Sequence, residues 1–232
     1  MAIERLPLAD EIGKRLRDQI LGGQLAPGER LTEQGVARLM GTSPGPVREA
    51  FSALAREGLI ISLPHRGTFV SEVSEDEAKI AYDVREVLEP HVAELAMARL
   101  TPHGIDQLTD RISEMRNAAR RKDFTALMAA DMRFHGFLYE LAGGKLLASV
   151  WAPIQLTIRK FAVIAAPHYY RDRDVKDTVG DHELLLKLLQ EGDGQTLRRE
   201  YSRHLHDLWS RIQEAASDHS GAEDSRKLGR AR

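Results

Sequence analysis

The chain has 232 residues, no cysteine, 33 Lys and Arg against 35 Asp and Glu, and a formal net charge of −2. This length suffices for one or two domains, and the absence of cysteine excludes disulfides and thiolate metal sites. No apolar run of about 18 residues and no signal-peptide pattern occurs, so we expect a cytoplasmic protein with no membrane span. The balanced charge gives no general argument for nucleic-acid binding.

The first predicted helix covers residues 8–21, where Ile12, Leu16 and Ile20 recur at helical spacing before a Gly-Gly pair. The next stretch, 24–30, contains Pro-Gly and is predicted to be a turn-rich connection. A single short helix cannot bury its apolar face alone. We therefore expect it to pack beneath the helices that follow.

Residues 31–59 are predicted to form two short helices joined by a tight turn. Thr32 is placed to cap the first helix, and Gly41 to end it. Ser43 is placed to cap the second, with proline in its first turn. The predicted buried positions are Val36, Leu39 and Met40 in the first helix and Val47, Ala50, Phe51, Leu54 and Ala55 in the second. This pattern predicts a helix-turn-helix, whose second helix enters the major groove of DNA.

A β-hairpin is predicted directly after the second helix. Its strands are the apolar runs 59–63 and 68–70, and its tip is Pro64-His65-Arg66-Gly67. A hairpin beside a recognition helix is a wing, and a basic tip is suited to the DNA backbone or the minor groove. An ordinary helical core with an unrelated β-turn is the alternative interpretation.

Residues 8–72 resemble the winged helix-turn-helix of the GntR family of bacterial transcription regulators. The resemblance is carried by Leu31-Thr32-Glu33, Pro46-Val47-Arg48-Glu49-Ala50, Glu57-Gly58-Leu59 and Arg66-Gly67-Thr68-Phe69-Val70. It implies a DNA-contact set of Gln34, Ser43, Gly45, Arg48, His65, Arg66 and Gly67. Pro44-Gly45 stands where the family usually has Arg-Thr. Since arginine is the commonest reader of guanine, the operator half-site should differ from the family's usual one.

The second half of the chain is predicted to be all-helical. An acidic first turn after Ser74 marks its start, and six helices follow at 75–99, 104–121, 123–142, 145–164, 175–191 and 194–215. The chain is thus predicted to be mainly α, with a winged helix-turn-helix domain at 1–72 and a six-helix antiparallel bundle at 73–216. The segment 217–232 has no apolar period, and we predict it to be a disordered tail.

Four ionisable side chains fall on predicted apolar faces of the bundle. Asp131 and His135 lie four residues apart, so they project from one face of a helix. His182 and His204 are equally far from Asp193, the turn between two antiparallel helices, so they should lie at the same height. Because burying such groups unpaired is costly, a divalent metal would satisfy all four. Individually, each could instead be a hydrogen-bonded core residue.

Residues 75–215 resemble the FCD effector domain of the FadR subgroup of GntR regulators, and the six-helix count resembles its VanR-like branch. The resemblance implies a metal site at Asp131, His135, His182 and His204, holding Zn²⁺, with Ni²⁺ or Mn²⁺ as alternatives. It also implies that Arg85 binds the carboxylate of an effector, as a guanidinium fork can.

Together these features predict a ligand-responsive regulator, most simply a repressor. It would bind palindromic double-stranded DNA as a homodimer and sense a small carboxylate at the metal-containing pocket. A metal-dependent hydrolase with an accessory winged domain is the competing hypothesis, because an Asp/His₃ site can activate water. A structural metal bundle that binds protein partners is a second alternative.

Overall fold

The structure, a computed structural model, describes residues 7–169 and 176–229, with side chains described for 7–164 and 178–213. In these residues the chain forms nine helices and three short strands. The fold class is mainly α, as the sequence predicts. The contacts divide the chain into two compact units, Met1–Glu72 and Val73–Arg232, hereafter the N-terminal unit and the helical unit.

The N-terminal unit combines three helices with a small antiparallel sheet. Its elements are α1 (Leu8–Leu21), β1 (Arg30–Leu31), α2 (Glu33–Met40), α3 (Pro44–Arg56), β2 (Ile60–Leu63) and β3 (Gly67–Val70). The strands lie in the order β1-β3-β2, with Leu31 opposite Thr68 and Ser62 opposite the same residue on the other side. β1 was not predicted, because a two-residue strand is too short to show an alternating pattern.

The ends of α2 and α3 follow the residues predicted to set them. The Thr32 side chain accepts a hydrogen bond from the Gly35 amide, and Gly41 ends α2 in the left-handed region at φ 65°. Ser43 occupies the N-cap position of α3, but its side chain makes no capping hydrogen bond. Two predicted core positions are wrong: Leu39 is 66% exposed, and Ala55 is also exposed, because each lies at the margin of its helix's apolar stripe.

The described residues of the helical unit form six helices, close to the predicted ones. They are α4 (Glu75–Met97), α5 (Pro102–Arg120), α6 (Phe124–Ala142), α7 (Lys145–Tyr169), α8 (Lys176–Glu191) and α9 (Gly194–Gly229). α4 begins with a complete capping box between Ser74 and Glu77, while Thr101 and Asp123 cap α5 and α6.

The backbone of α9 continues to Gly229 and so differs from the disordered tail predicted from residue 217. Lys, Arg, Glu and Ala are strong helix formers, and they can extend a helix without an apolar stripe. Residues 230–232 of the predicted tail lie outside the described residues.

α6 lies at the centre of the helical unit, packed against α4, α5 and α7, while α9 packs against α4, α7 and α8. Most apolar residues of α6 are buried, so the polar side chains that lie among them, Asp131 and His135, are also removed from water. One stretch, Lys145–Ile164 in α7, has the length and apolar composition of a membrane span. It is a packed helix of this unit, with 28% of that stretch buried, and by itself it is weak evidence for a membrane.

Candidate metal centre and DNA-reading unit

Three helices of the helical unit bring one carboxylate and three imidazoles together. α6 provides Asp131 and His135, α8 provides His182, and α9 provides His204. All four side chains are at most 1% exposed. One donor atom from each lies within 4.8 Å of the others, so one cation could contact all four. The structure thus brings together every residue predicted for the metal site.

The Nε2 atoms of two histidines converge on the carboxylate. Asp131 Oδ1 lies 3.1 Å from His182 Nε2 and 3.7 Å from His135 Nε2, and the two nitrogens are 3.3 Å apart. The His204 ring stacks on that of His135, with centroids 5.5 Å apart and planes 17° from parallel. His204 also meets the His182 ring edge to face at 4.7 Å.

The opposite ring nitrogen of each histidine faces an oxygen outside the cluster. His135 Nδ1 lies 2.7 Å from Glu89 Oε2 and 2.8 Å from the Tyr201 hydroxyl. His182 Nδ1 donates to the Thr178 carbonyl at 2.7 Å. His204 Nδ1 faces a carboxylate oxygen of Asp181 at 3.6 Å. Outer oxygens of this kind fix the tautomer and orientation of metal-binding histidines.

Three inner atoms of the cluster lack hydrogen bonds. Both carboxylate oxygens of Asp131 and the inward Nε2 of His204 are buried without a hydrogen-bond partner. Buried polar atoms in proteins are almost always satisfied, so three unsatisfied atoms at one point indicate a missing ligand. A mixed nitrogen and oxygen donor set suits a divalent transition metal. The residues therefore fit a metal ion, and the cluster could hold one.

Charges inside the cluster are strongly coupled. Burial opposes ionisation of Asp131, but His135 and His182 outweigh it and hold its pKa well below the usual value. Burial lowers the pKa of His204 to about 4, so its ring is neutral at pH 7. Burial also disfavours the charged form of His135, yet the Glu89 carboxylate raises its pKa overall. The carboxylate and the neutral imidazole are the forms that bind metals.

Arg85, the predicted effector residue, is completely buried on α4. Its Nε donates to Glu89 Oε1 at 2.5 Å, and its Nη1 has no hydrogen-bond partner. The guanidinium lies 5.3 Å from the Tyr82 ring and 5.5 Å from the Trp151 ring. Since Glu89 also reaches His135, one carboxylate connects Arg85 to the metal cluster.

The sequence prediction did not include the residues that support the cluster from outside. Glu89 lies four residues after Arg85 on the same helix face, and that spacing was a usable signal. Tyr201 similarly precedes His204 by less than one turn. The Thr178 carbonyl carries no such signal, because any residue supplies one.

The predicted DNA-contact residues lie at the surface of the N-terminal unit. Six of them are exposed and Gly67 is half-buried; the exposed ones are Gln34, Ser43, Gly45, Arg48, His65 and Arg66. The wing tip requires positive φ at His65 (61°) and Gly67 (112°). A Cβ on Gly67 would lie 3.0 Å from Arg30 Nε, so this position favours glycine both by conformation and by space.

Comparison with known proteins agrees with this two-unit organisation. Residues 8–70 match the model of the bacterial regulatory proteins of the gntR family, and residues 80–207 match the FCD domain. The HTH-type transcriptional repressor RspR of Escherichia coli (strain K12) is 27% identical over 214 residues, which is 92% of each chain. The gluconate operon transcriptional repressor of Bacillus licheniformis is 24% identical and covers 91% of this chain and 88% of its own.

Solved structures show the same fold. Escherichia coli McbR/YncC superposes with a TM-score of 0.74 at 21% identity, over 90% of this chain and 99% of its own. A putative GntR transcriptional regulator from Rhodococcus sp. RHA1 also has a TM-score of 0.74, at 20% identity, over 89% of this chain and 98% of its own. The gntR family match and relatives such as RspR indicate a DNA-binding regulator and not an enzyme. The chain belongs to the GntR family of bacterial transcription regulators, with a winged helix-turn-helix followed by an FCD domain.

Proposed function

We propose that this protein is a ligand-responsive repressor that acts in the cytoplasm as a homodimer on a palindromic operator. Its helical unit would hold a divalent metal and a small organic acid. The observation that carries the proposal is the group of unsatisfied polar atoms on Asp131 and His204, buried in the core of the helical unit. Such burial is costly unless a ligand completes the site.

The metal would be held by Asp131, His135, His182 and His204. Zn²⁺ is our first choice, and Ni²⁺ or Mn²⁺ would also suit three imidazoles and a carboxylate. When bound, a cation that accepts more than four ligands offers open positions to ligand oxygens. The protein's own contribution is orientation, since oxygens outside the cluster hold His135 and His182 with Nε2 pointing inward.

The organic acid would be bound by Arg85. Its unpartnered Nη1 is a buried donor beside the cluster, and a guanidinium binds carboxylates with strong, directional hydrogen bonds. A carboxylic acid with one oxygen toward Arg85 and another toward the metal would satisfy both. The gluconate operon repressors among the relatives are named for a small hydroxy acid, which supports this class of ligand.

An exposed apolar face of α4 supports the homodimer. Ile80, Val84 and Val87 are 61%, 36% and 76% exposed and line a surface groove of about 380 Å³. Along α4, Ile80 and Val87 are equally far from the midpoint between Asp83 and Val84. If two α4 helices cross antiparallel at this midpoint, Ile80 of one copy lies against Val87 of the other. Asp76 and His91 pair in the same way, so a carboxylate of one copy would face an imidazole of the other.

Regulation would follow if the acid favours one arrangement of the two DNA-binding units over another. An operator recognised by a two-fold dimer fixes the distance between its half-sites, about one helical turn. A ligand shifts DNA affinity only by its differential affinity for the two arrangements. The proposal therefore requires measurable coupling between acid and operator.

A thermal-shift screen of carboxylic acids, with and without chelator, tests this proposal. We expect one acid to raise the unfolding temperature, and the rise to disappear with chelator or in Arg85→Ala. That acid should also change the affinity for the operator and be recovered unchanged. Indifference to every acid would contradict the sensing mechanism, while loss of the effect in Arg85→Ala alone would separate acid binding from metal binding.

A further inference from the structure

Arg48 on α3 is held by a carboxylate from the neighbouring helix. Its Nε lies 3.1 Å from Glu33 Oε1, and its Nη2 lies 2.8 Å from Glu33 Oε2. Glu33 is the first residue of α2, so this contact joins the two helices of the helix-turn-helix. The Arg48 side chain nevertheless remains 70% exposed.

The geometry of this pair leaves the far end of the guanidinium free. A guanidinium has five N–H donors, and the side-on contact with Glu33 uses Nε–H and one hydrogen of Nη2. Of the three remaining donors, one on Nη1 and one on Nη2 form the end-on fork. That fork is the one that binds O6 and N7 of guanine in the major groove. Side-on anchoring and end-on reading are therefore compatible in one arginine.

The backbone that carries Glu33 is fixed by a helix cap. The Thr32 side chain caps the amide of Gly35, which sets the backbone at the start of α2 immediately before and after Glu33. A carboxylate close to DNA repels phosphates and reduces affinity unless it has another effect. Orienting Arg48 is such an effect. Glu33 already restricts the rotamers of this long, exposed side chain, so less conformational entropy is lost when Arg48 binds DNA.

We propose that Glu33 is a positioning residue that presents Arg48 end-on to a guanine of the operator half-site. The inference rests on the proposed function at an operator and on the predicted contact between Arg48 and DNA, which it extends to a particular base. The opposite possibility is that Glu33 restrains Arg48, which must leave the carboxylate to reach DNA. The two differ in the sign of the effect expected from removing Glu33.

The test uses the full chain and DNA duplexes selected by it from a random library. Each guanine of the half-site is replaced in turn by 7-deazaguanine, which lacks the N7 acceptor. For the unaltered protein we expect one guanine whose replacement weakens binding about tenfold, within the range of a bidentate base contact. Arg48→Ala should remove this sensitivity. Glu33→Ala should weaken binding to the selected duplex about three- to tenfold and reduce the 7-deaza effect to below threefold.

Glu49→Gln is the matched control, since it removes one negative charge from the exposed side of the same recognition helix. It should leave the 7-deaza effect intact and bind all duplexes equally well or more tightly. If Glu33→Ala binds the selected duplex as tightly as the unaltered protein, with the full 7-deaza effect, the positioning role is wrong while the Arg48 contact stands. If Arg48→Ala binds like the unaltered protein, the Arg48 contact itself is wrong. Thermal unfolding, with Glu33→Gln as a second variant, identifies any loss of fold.

Discussion

Glu89 and His135 face each other inside the helical unit, with Oε2 and Nδ1 2.7 Å apart and both side chains at most 1% exposed. The second carboxylate oxygen, Oε1, accepts from Arg85 Nε. Burial opposes ionisation of Glu89, but the charges of Arg85 and His135 lower its pKa to about 2. Glu89 is therefore a permanent carboxylate at neutral pH, shared between the proposed effector site and the proposed metal site.

Glu89→Gln should destabilise the helical unit by about 3–5 kcal/mol, because it removes the charge that compensates a fully buried guanidinium. Denaturant unfolding followed by circular dichroism measures this change. Glu94→Gln on the same helix is the control: Glu94 pairs with Arg198 at the surface, where such pairs contribute at most about 1 kcal/mol. Equal effects of the two substitutions would contradict the role assigned to the buried pair.

His204→Ala should abolish stabilisation of the protein by added Zn²⁺. Binding at 100-fold excess over Kd contributes about 2.7 kcal/mol to the unaltered protein, and loss of a ligand removes most of it. Scanning calorimetry of chelator-treated protein, with and without Zn²⁺, measures the difference. His206→Ala is the matched control, since His206 lies two residues away on α9 and is 73% exposed. Unchanged stabilisation in His204→Ala would exclude His204 as a ligand.

The four residues of the metal cluster could be predicted because helical spacing and the position of one turn determine where they lie. Helical spacing places Asp131 and His135 on one face, and antiparallel packing about Asp193 places His182 level with His204. The groups outside the cluster that orient its histidines could not be predicted in the same way. Glu89 and the Thr178 carbonyl matter because of the distances at which other helices pack, and packing distances are not encoded in the spacing within one helix.

The margins of the predicted elements illustrate the same limit in the N-terminal unit. Leu39 continues an apolar pattern but is 66% exposed, because α2 is short and one neighbouring helix covers only part of its surface. β1 exists because β3 offers it an edge, with Arg30 opposite Phe69. Neither outcome follows from local sequence, since each depends on which partner is present.

Gly45→Ala should separate stability from DNA binding. Gly45 lies in the first turn of α3, and a Cβ there would have no heavy atom within 4 Å apart from its two chain neighbours. Alanine favours a helix over glycine by about 0.5–1 kcal/mol, but its Cβ would also meet the ring of Pro46, so we expect little net change in stability. Operator affinity should fall, because the added methyl group would obstruct the proposed close approach to DNA. Gly41→Ala is the converse control, expected to destabilise by about 1–2 kcal/mol at φ 65°. Full operator affinity in Gly45→Ala would remove Gly45 from the proposed contacts.

Glu77→Gln should make the free energy of unfolding less dependent on pH between pH 7 and pH 3. Hydrogen bonds from the Ser74 amide and hydroxyl lower the pKa of Glu77 below its usual 4.5. The capping carboxylate thus contributes stability above the unfolded-state pKa, and this contribution is lost as pH falls through the lower folded-state pKa. Urea unfolding at pH 3 to 7 measures it. The free energies of unfolding of Glu77→Gln and the unaltered protein should differ most near pH 7 and least at pH 3. A difference that stays constant with pH would contradict this role of Glu77.

Val87→Glu should convert the proposed dimer to a monomer. In the antiparallel crossing of two α4 helices, each new carboxylate would be buried against Ile80 of the partner subunit, and burying an unpaired charge is costly. Sedimentation velocity at micromolar concentration should give a dimer for the unaltered protein and a monomer for Val87→Glu. Leu39→Glu makes the same kind of change at an exposed apolar residue of the N-terminal unit and should remain dimeric. A monomeric unaltered protein would contradict the homodimer itself, whereas a dimeric Val87→Glu would show that another face joins the two copies.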